Sequence, residues 1–343
     1  MRSLPRSTLV ASMRNEGAFL LQWVAWYRML GFENILIIHN DCTDHSPQLL
    51  RLLERAGVLV QKRNKPDPKE PPQPQNYLAA TAHRLVREAD WVLVTDADEY
   101  LVVHTGDGSV AALAEAIGDK AFGMAINWRI FGSSGEATWH DTIIHRRFLR
   151  AAPPSARQNS GFKTFFKRPT DFRKLRAHGP AGWVSSAPWG KGDRVFILAD
   201  GAPYPAYVPQ ASPQNGSGEA RWSNQLAQIN HYAVQTIEQQ DFKKGRLCAA
   251  VRSDRYTNNF YQRFDRNEEE NTSALAYAEE FDAAHAALLA IPGVLRLHHL
   301  CCADYVAEMC EKRGDDPKAD PRWQDHMEQA HALPRHQASA PEH

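Results

Sequence analysis

Three carboxylates, Asp96, Asp98 and Glu99, follow directly on the apolar run Trp91-Val92-Leu93-Val94. A short apolar run with polar residues on both sides reads as a buried strand of a mainly parallel sheet. In open α/β sheets, ligands bind outside the carboxyl ends of the strands, and the acidic cluster falls at such an end. Asp96 and Asp98 are two apart, so in extended geometry both project to one side. Converging carboxylates are costly unless a cation or a proton compensates them, and a hard divalent metal carrying a diphosphate would do so. The D-x-D spacing alone is unspecific. Its plain alternative is a pair of solvated carboxylates in a turn, where Asp is common.

Two other expected strands end in short polar clusters. Residues 8–12 lead into Arg14-Asn15-Glu16, and residues 34–39 into Asn40-Asp41-Cys42-Thr43-Asp44. Parallel pairing brings such tips to one sheet edge, where Asn and Asp can accept hydrogen bonds from a base edge or a ribose hydroxyl. The same residue types also make turns and helix caps. No G-x-G-x-x-G and no Walker loop occurs, so a Rossmann dinucleotide site and a P-loop NTPase have no support.

The elements that must position these tips alternate between strand and helix. A buried helix is expected over residues 18–30, closed by Gly31. Ser46 with Pro47 opens another, which carries Leu49, Leu50, Leu52 and Leu53 and ends by Gly57, before a strand at 58–61. Prolines 66, 68, 71, 72 and 74 make residues 64–75 an extended surface loop, and a helix over 76–88 leads into the acidic strand. Further along, a helix is expected near 110–117, strands at 122–127, 142–149 and 162–167, and a Gly/Ser loop at 131–136. Residues 180–218 are rich in Gly, Pro and Ser and read as long loops. Residues 237–300 read as helical, with a break at Pro292-Gly293.

The expected class is α/β, a mostly parallel sheet flanked by helices with a helical C-terminal extension. The division is a main domain at 1–265, an extension at 266–313, and a polar tail at 314–343 expected to be disordered.

The chain of 343 residues is 43% hydrophobic, ample for a core, and its 40 basic and 40 acidic residues give a formal charge of zero. It has no global basic field and no polybasic cluster, so nucleic acid is not an expected partner. No run reaches the length of a membrane-spanning helix, since residues 19–30 are interrupted by Gln22 and Arg28. Peripheral membrane contact stays compatible. Residues 1–14 lack the apolar core of a secretory signal, and a cytoplasmic location is expected.

Five cysteines do not suggest a disulfide framework. His298 and Cys302 fall at i, i+4 with His299, Cys301 and Cys310 nearby, which suits zinc on one helix face. The spacing matches no usual zinc module, so a packed helix is the expectation.

Taken in order, several segments form a recognisable series. Asn15-Glu16 opens a helix with Trp23, Tyr27 and Gly31, followed by residues 40–44 and then 91–100 with the D-x-D. Asn127-Trp128, residues 131–135, Lys163, His178, Asn230-His231-Tyr232 and residues 242–246 come later. The series resembles the family-2-like glycosyltransferases related to glycosyltransferase family 92, across residues 9–264.

The resemblance implies a GT-A fold that binds a nucleotide-sugar, UDP-linked, and a divalent metal, Mn2+ or Mg2+. It places Asn15, Glu16, Asn40, Asp41 and Asp44 around the nucleoside and Asp96 near ribose and metal. Asp98 becomes a metal ligand and His231 the third protein ligand. Mixed carboxylate and imidazole donors suit Mn2+. Lys243 and Arg246, three apart, share one face if residues 237–247 are helical, where they either neutralise a phosphate or form a solvated basic face. Two positions depart from the pattern: Cys42 where a small Gly is common, and Leu247 after Arg246 where Gly is usual.

The implied reaction transfers the sugar, with inversion, to a carbohydrate or glycoconjugate hydroxyl in surface polysaccharide or glycoconjugate synthesis. It needs a general base, for which Glu136 is the first candidate and His178 and Asp141 the others. Trp128, Trp139 and Trp183 are candidates for stacking on sugar faces. Two other readings compete. One is a haloacid-dehalogenase-type phosphatase built on the same D-x-D, which needs a second acidic pair such as Asp315-Asp316. The other is a non-catalytic nucleotide-sugar or carbohydrate-binding module.

Overall fold

The computed structural model describes residues 6–204, 206–207, 209, 222–245, 248–251 and 253–334. The first part alternates strand and helix: β1 (Ser7–Met13), α1 (Gly17–Met29), β2 (Asn34–His39), α2 (Ser46–Arg55), β3 (Val60–Arg63), α3 (Pro72–Thr81), α4 (Arg84–Arg87) and β4 (Trp91–Val94). Then come β5 (Glu99–Val103), α5 (Val110–Ile117), β6 (Gly123–Ile130), α6 (Ile144–Arg147), β7 (Arg150–Ala151), β8 (Phe162–Lys167), β9 (Phe172–Arg176), β10 (Gly179–Trp183), β11 (Phe196–Leu198) and β12 (Ala227–His231). The remainder is mainly helical: α7 (Ile237–Lys243), α8 (Asn258–Phe264), β13 (Glu269–Glu270), α9 (Ala278–Leu289), α10 (Val294–Arg313) and α11 (Pro321–Ala332).

One nine-stranded, mostly parallel sheet organises the molecule, in the order β3-β2-β1-β4-β8-β6-β12-β5 with β11 beside β6. Alternation along its central strands feeds two cores. Leu9, Ala11 and Leu93 pack with the Trp23, Trp26 and Tyr27 side of α1. Val10, Val92 and Val94 pack against Tyr77, Phe162 and Phe166 on the other face.

Register brings the chemistry together. β1 is parallel to β2, with Met13 opposite His39, and to β4, with Val10 opposite Val94, so these strands end at one edge. β8 runs antiparallel between β4 and β6, and β12 is parallel to β6, so β12 ends at that edge as well. β12 also pairs antiparallel with β5, which sets His231 directly opposite Glu99.

Several sequence expectations differ from the structure. The strand expected at 142–149 is instead the short helix α6, with Ile144 and Phe148 buried and the Ile144 amide donating to Gln22 at 2.8 Å. The proline-rich loop is shorter than expected because Pro72 starts α3, in the first turn where a missing N–H costs nothing. The helix expected over 76–88 breaks after Thr81, where the His83 side chain accepts from the Leu85 amide and starts α4. The tail is ordered as far as residue 334, because α11 docks on α7 through Arg322, which donates to Glu238. Residues 335–343 lie outside the described residues.

Candidate active site

Three aromatic groups of α1 fix the turn between β4 and β5. Trp23 Nε1 donates to the Asp96 carbonyl at 3.0 Å, Tyr27 OH to the Glu99 carbonyl at 2.9 Å, and Trp26 Nε1 to the Leu101 carbonyl at 2.8 Å. With its backbone pinned, the turn presents the three carboxylates in different directions. Asp96 Oδ2 accepts from Lys163 at 2.8 Å, while its Oδ1 accepts from Gln73 at 2.8 Å and Tyr77 OH at 3.1 Å. Glu99 is fully buried, 2.9 Å from the same Lys163 ammonium, and accepts from Trp128 Nε1 at 2.9 Å. Burial pushes the Glu99 carboxyl up against the pull of Lys163. Lys163 is itself buried, yet Asp96 and Glu99 outweigh that desolvation and hold it firmly protonated.

Asp98 takes a different partner. Its Oδ2 lies 3.8 Å from Nε2 of His231 at the end of β12. Burial would raise its carboxyl, but His231, Lys243 and Lys163 overcome this and keep it well below the usual carboxylate range. His231 is buried, its ring 4.4 Å from that of Trp128, and its Nδ1 has no hydrogen-bond partner among the described residues. A carboxylate beside an imidazole with unused lone-pair capacity is a donor set that fits a borderline divalent metal. Asp96 is not gathered into this pair: it does not form with Asp98 and His231 the kind of three-donor cluster, within 4.8 Å, found elsewhere in the chain. Its oxygens are already engaged by Lys163, Gln73 and Tyr77. Asp98 and His231 thus approach each other, and Asp96 stands beside them with other partners.

Of the residues expected around a nucleoside, three turn inward. Asn15 sits at φ +55 and binds Thr43 at its amide and hydroxyl and Glu308 of α10. Asn40 is buried between Asp41 and Asn76. Asp44 accepts from the Ser46 amide and hydroxyl and from the Gly17 amide. These side chains hold the strand-tip loops in place. Asp41, at φ +46, keeps its side chain exposed. Desolvation by burial pushes the Glu16 carboxyl up to about 8, with Lys243 acting against it and Asp98, Asp44 and Asp96 adding to it. Glu16 therefore retains its proton near neutrality and can donate as well as accept. Lys243, at the end of α7, also lies over the Tyr256 ring at 5.9 Å. Arg246 lies outside the described residues.

The three base candidates separate clearly. Glu136 is ion-paired with Arg147 at 2.6 Å, in a loop whose carbonyl accepts from the first amide of α7. Asp141 is paired with His298 of α10 at 2.8 Å. His178 is the one beside the acidic turn. Its Nδ1 lies 2.9 Å from the Phe162 carbonyl, which can only accept, so Nε2 carries the lone pair. Its ring is 5.6 Å from Trp128, and desolvation together with nearby Lys163 lowers it to about 4. Trp128 thus forms a floor beneath His178 and His231. Trp139 is buried with Phe19 and Tyr305, and Trp183 packs on Phe122 and Phe172, so both serve cores. Asp315 pairs with Arg313 and Asp316 caps a helical turn in the C-terminal region, so neither supplies a phosphatase's second acidic pair.

Residues 10–167 match the model of glycosyltransferase family 92. The chain is a glycosyltransferase related to that family. The matched segment runs from within β1 to the end of β8 and so contains the whole Asp96–Glu99–Lys163 network. No curated protein matches the sequence. Among solved structures, residues 1–349 of S. aureus TarS align at 10% identity, covering 95% of this chain and 91% of that one, with a TM-score of 0.32. The same fragment in complex with UDP-GlcNAc aligns at 11% identity, covering 95% and 92%, with a TM-score of 0.31. Likeness at TM-scores this low transfers no chemistry to this glycosyltransferase.

Gln73 and Tyr77 are site residues that the sequence did not disclose. Their i, i+4 spacing at the start of α3 was the available signal, hidden by the prolines that made this segment look like a loop. Glu99 was visible as one of three carboxylates, but its burial depends on Lys163, which is far away in sequence.

Proposed function

We propose that this glycosyltransferase takes its sugar from a UDP-linked nucleotide-sugar and passes it, with inversion, to a hydroxyl of a carbohydrate or glycoconjugate. The observation that carries this reading is the approach of His231 to Asp98 at the edge where β1, β2 and β4 also end. Asp98 and His231 would hold a divalent cation such as Mn2+. When bound, such a cation offsets the charge that grows on the departing diphosphate.

The chain's own groups account for the remaining steps. Asp41 and Glu16 would contact the nucleoside, and Lys243 adds a positive charge near Glu16 and Asp98. Lys163 fixes Asp96 so that it can accept from a ribose hydroxyl. As the bond from the sugar's anomeric carbon to the β-phosphate oxygen breaks, the acceptor oxygen bonds to that carbon from the opposite face. The acceptor proton goes to Nε2 of His178, which is neutral and held by its Nδ1 hydrogen bond. Glu136 is engaged by Arg147 and is the weaker candidate.

The test is nucleotide release by the full chain across a panel of UDP- and GDP-sugars, with and without a chelator. Release from a UDP-sugar that the chelator suppresses is the expected result. Binding of UDP-sugars without any turnover across a broad acceptor panel would make the chain a binding module. Hydrolysis of simple phosphomonoesters, with nucleotide-sugars inert, would overturn the proposal.

A further inference from the structure

A second cluster of ligating groups gathers on α10. Asp141 comes from the segment between β6 and α6, His298 and Cys302 from α10, and His326 from α11. One ligand atom from each of Asp141, Cys302 and His326 lies within 4.8 Å of the other two. His298 stands beside this group of three, its Nε2 2.8 Å from Asp141 Oδ2 and 3.6 Å from Cys302 Sγ. Cys302 has no exposed surface, and His298 and His326 are buried. Nδ1 of His298 is buried without a hydrogen-bond partner among the described residues. Beside the cluster, Nδ1 of His299 lies 3.1 Å from Nδ1 of His326. One of these two nitrogens must carry a hydrogen and the other a lone pair; a hydrogen on Nδ1 of His326 leaves its Nε2 lone pair for a metal.

Ordinary packing explains a buried cysteine or a His–Asp pair singly. It does not explain why three separate segments deliver a thiol, two imidazoles and a carboxylate to one point. We propose that Asp141, His298, Cys302 and His326 bind one Zn2+ ion. Four protein donors with one thiolate among them match a closed, structural zinc site. The thiolate and imidazoles favour zinc over the hard cations that suit oxygen ligands, so this site differs in kind from Asp98 and His231. On binding, Cys302 releases its thiol proton to solvent and its sulfur donates to the metal, with no redox change.

The position gives the ion a purpose. α10 props the loops at the strand tips, because Asp304 binds the His45 amide and ring at 2.8 and 2.6 Å and Glu308 binds Asn15 at 2.7 Å. α10 also presses against the start of α1: a Cβ on Gly17 would stand 2.5 Å from Cys301 Sγ. An ion that ties α10 to α11 and to the Asp141 segment would brace the wall behind those loops.

The test uses the purified full chain, stripped by chelation and titrated with Zn2+. We expect one zinc per chain by elemental analysis and a raised thermal midpoint. Co2+ loaded in its place should show thiolate-to-cobalt charge-transfer absorption. Cys302→Ser should remove that absorption, and His326→Gln should weaken zinc binding by more than about tenfold. Cys310→Ser and Asp98→Ala should leave both unchanged. His326→Gln keeps the proposal testable if Cys302→Ser fails to fold. A wild-type chain that takes up no zinc, a cobalt spectrum without the thiolate band, or equal zinc affinity in His326→Gln and wild type would overturn it. Zinc lost from Asp98→Ala but kept in His326→Gln would place the ion at the active site instead.

Discussion

The ammonium of Lys163 lies 2.8 Å from Oδ2 of Asp96. This contact divides the acidic turn. Asp96 and Glu99 share a buried cation from β8, and Asp98 is left facing His231. A site that looks like three equivalent carboxylates in sequence therefore contains one internal ion-pair network and one open donor pair.

Removing Lys163 should be severe. Lys163→Met leaves Glu99 buried without its cation, and breaking such a pair costs about 3–5 kcal/mol. Urea unfolding should show that loss. Adding Glu99→Gln should restore part of it, because the neutral amide keeps the acceptor for Trp128 without the stranded charge. A Lys163→Met chain as stable as wild type would show that the network does not carry the turn.

The sheet was largely legible because its strands obey simple rules. The apolar runs of β1, β2 and β4 end in polar clusters, and alternation with helices implied parallel pairing, which the register bears out. What could not be read was which partners those clusters meet. Asn15, Asn40 and Asp44 have the types that bind a nucleoside and the types that tie loops, and only packing against Glu308, Asn76 and Ser46 decides between them. Glu136 and Asp141 were equally ambiguous until Arg147 and His298 appeared beside them. The short helix α6 was missed because its buried Ile144 and Phe148 lie in a run of β-branched and aromatic residues that also suits a strand.

Asp98 and Asp96 should respond differently to substitution. Asp98→Ala should abolish metal-stimulated transfer and leave the fold intact, since it removes a desolvated carboxylate together with the metal donor. At about 1.4 kcal/mol per tenfold, loss of several kcal/mol of charge stabilisation means a fall of at least about a hundredfold. Asp96→Asn should mainly weaken donor binding and loosen the Lys163 network. Transfer rates measured against added Mn2+ distinguish the two, and full activity of Asp98→Ala would sink the metal assignment.

The general base can be separated from its neighbours by paired variants. His178→Gln should lower transfer by about two to four orders of magnitude while leaving UDP affinity near wild type. Glu136→Gln should weaken only the Arg147 pair and cost little activity. Side-by-side rates and nucleotide affinities decide the matter. A selective loss in Glu136→Gln, with His178→Gln at full rate, would return the role to Glu136.

Acid should loosen the C-terminal helix before the catalytic sheet. Glu238 of α7 accepts from Arg322 at 2.7 and 2.8 Å, from the Trp139 amide at 2.8 Å and from Arg313 at 2.6 Å. Burial alone would raise its carboxyl, but these donors lower it from 4.5 to about 2. A carboxylate depressed in the folded state contributes stability that is present above its unfolded value and is lost as pH falls through its folded value. The window therefore runs from about pH 4.5 down to about pH 2. Asp320, held to about 2 chiefly by Arg322, should add to the same transition. Allowing for solvent screening, the Glu238 share is about 1–2 kcal/mol. Glu238→Gln should thus lower the urea midpoint near neutrality and converge with wild type at the acid end of that window. If the two proteins instead kept a constant difference across it, the ionised carboxylate would not be what fastens α11 to the rest of the molecule.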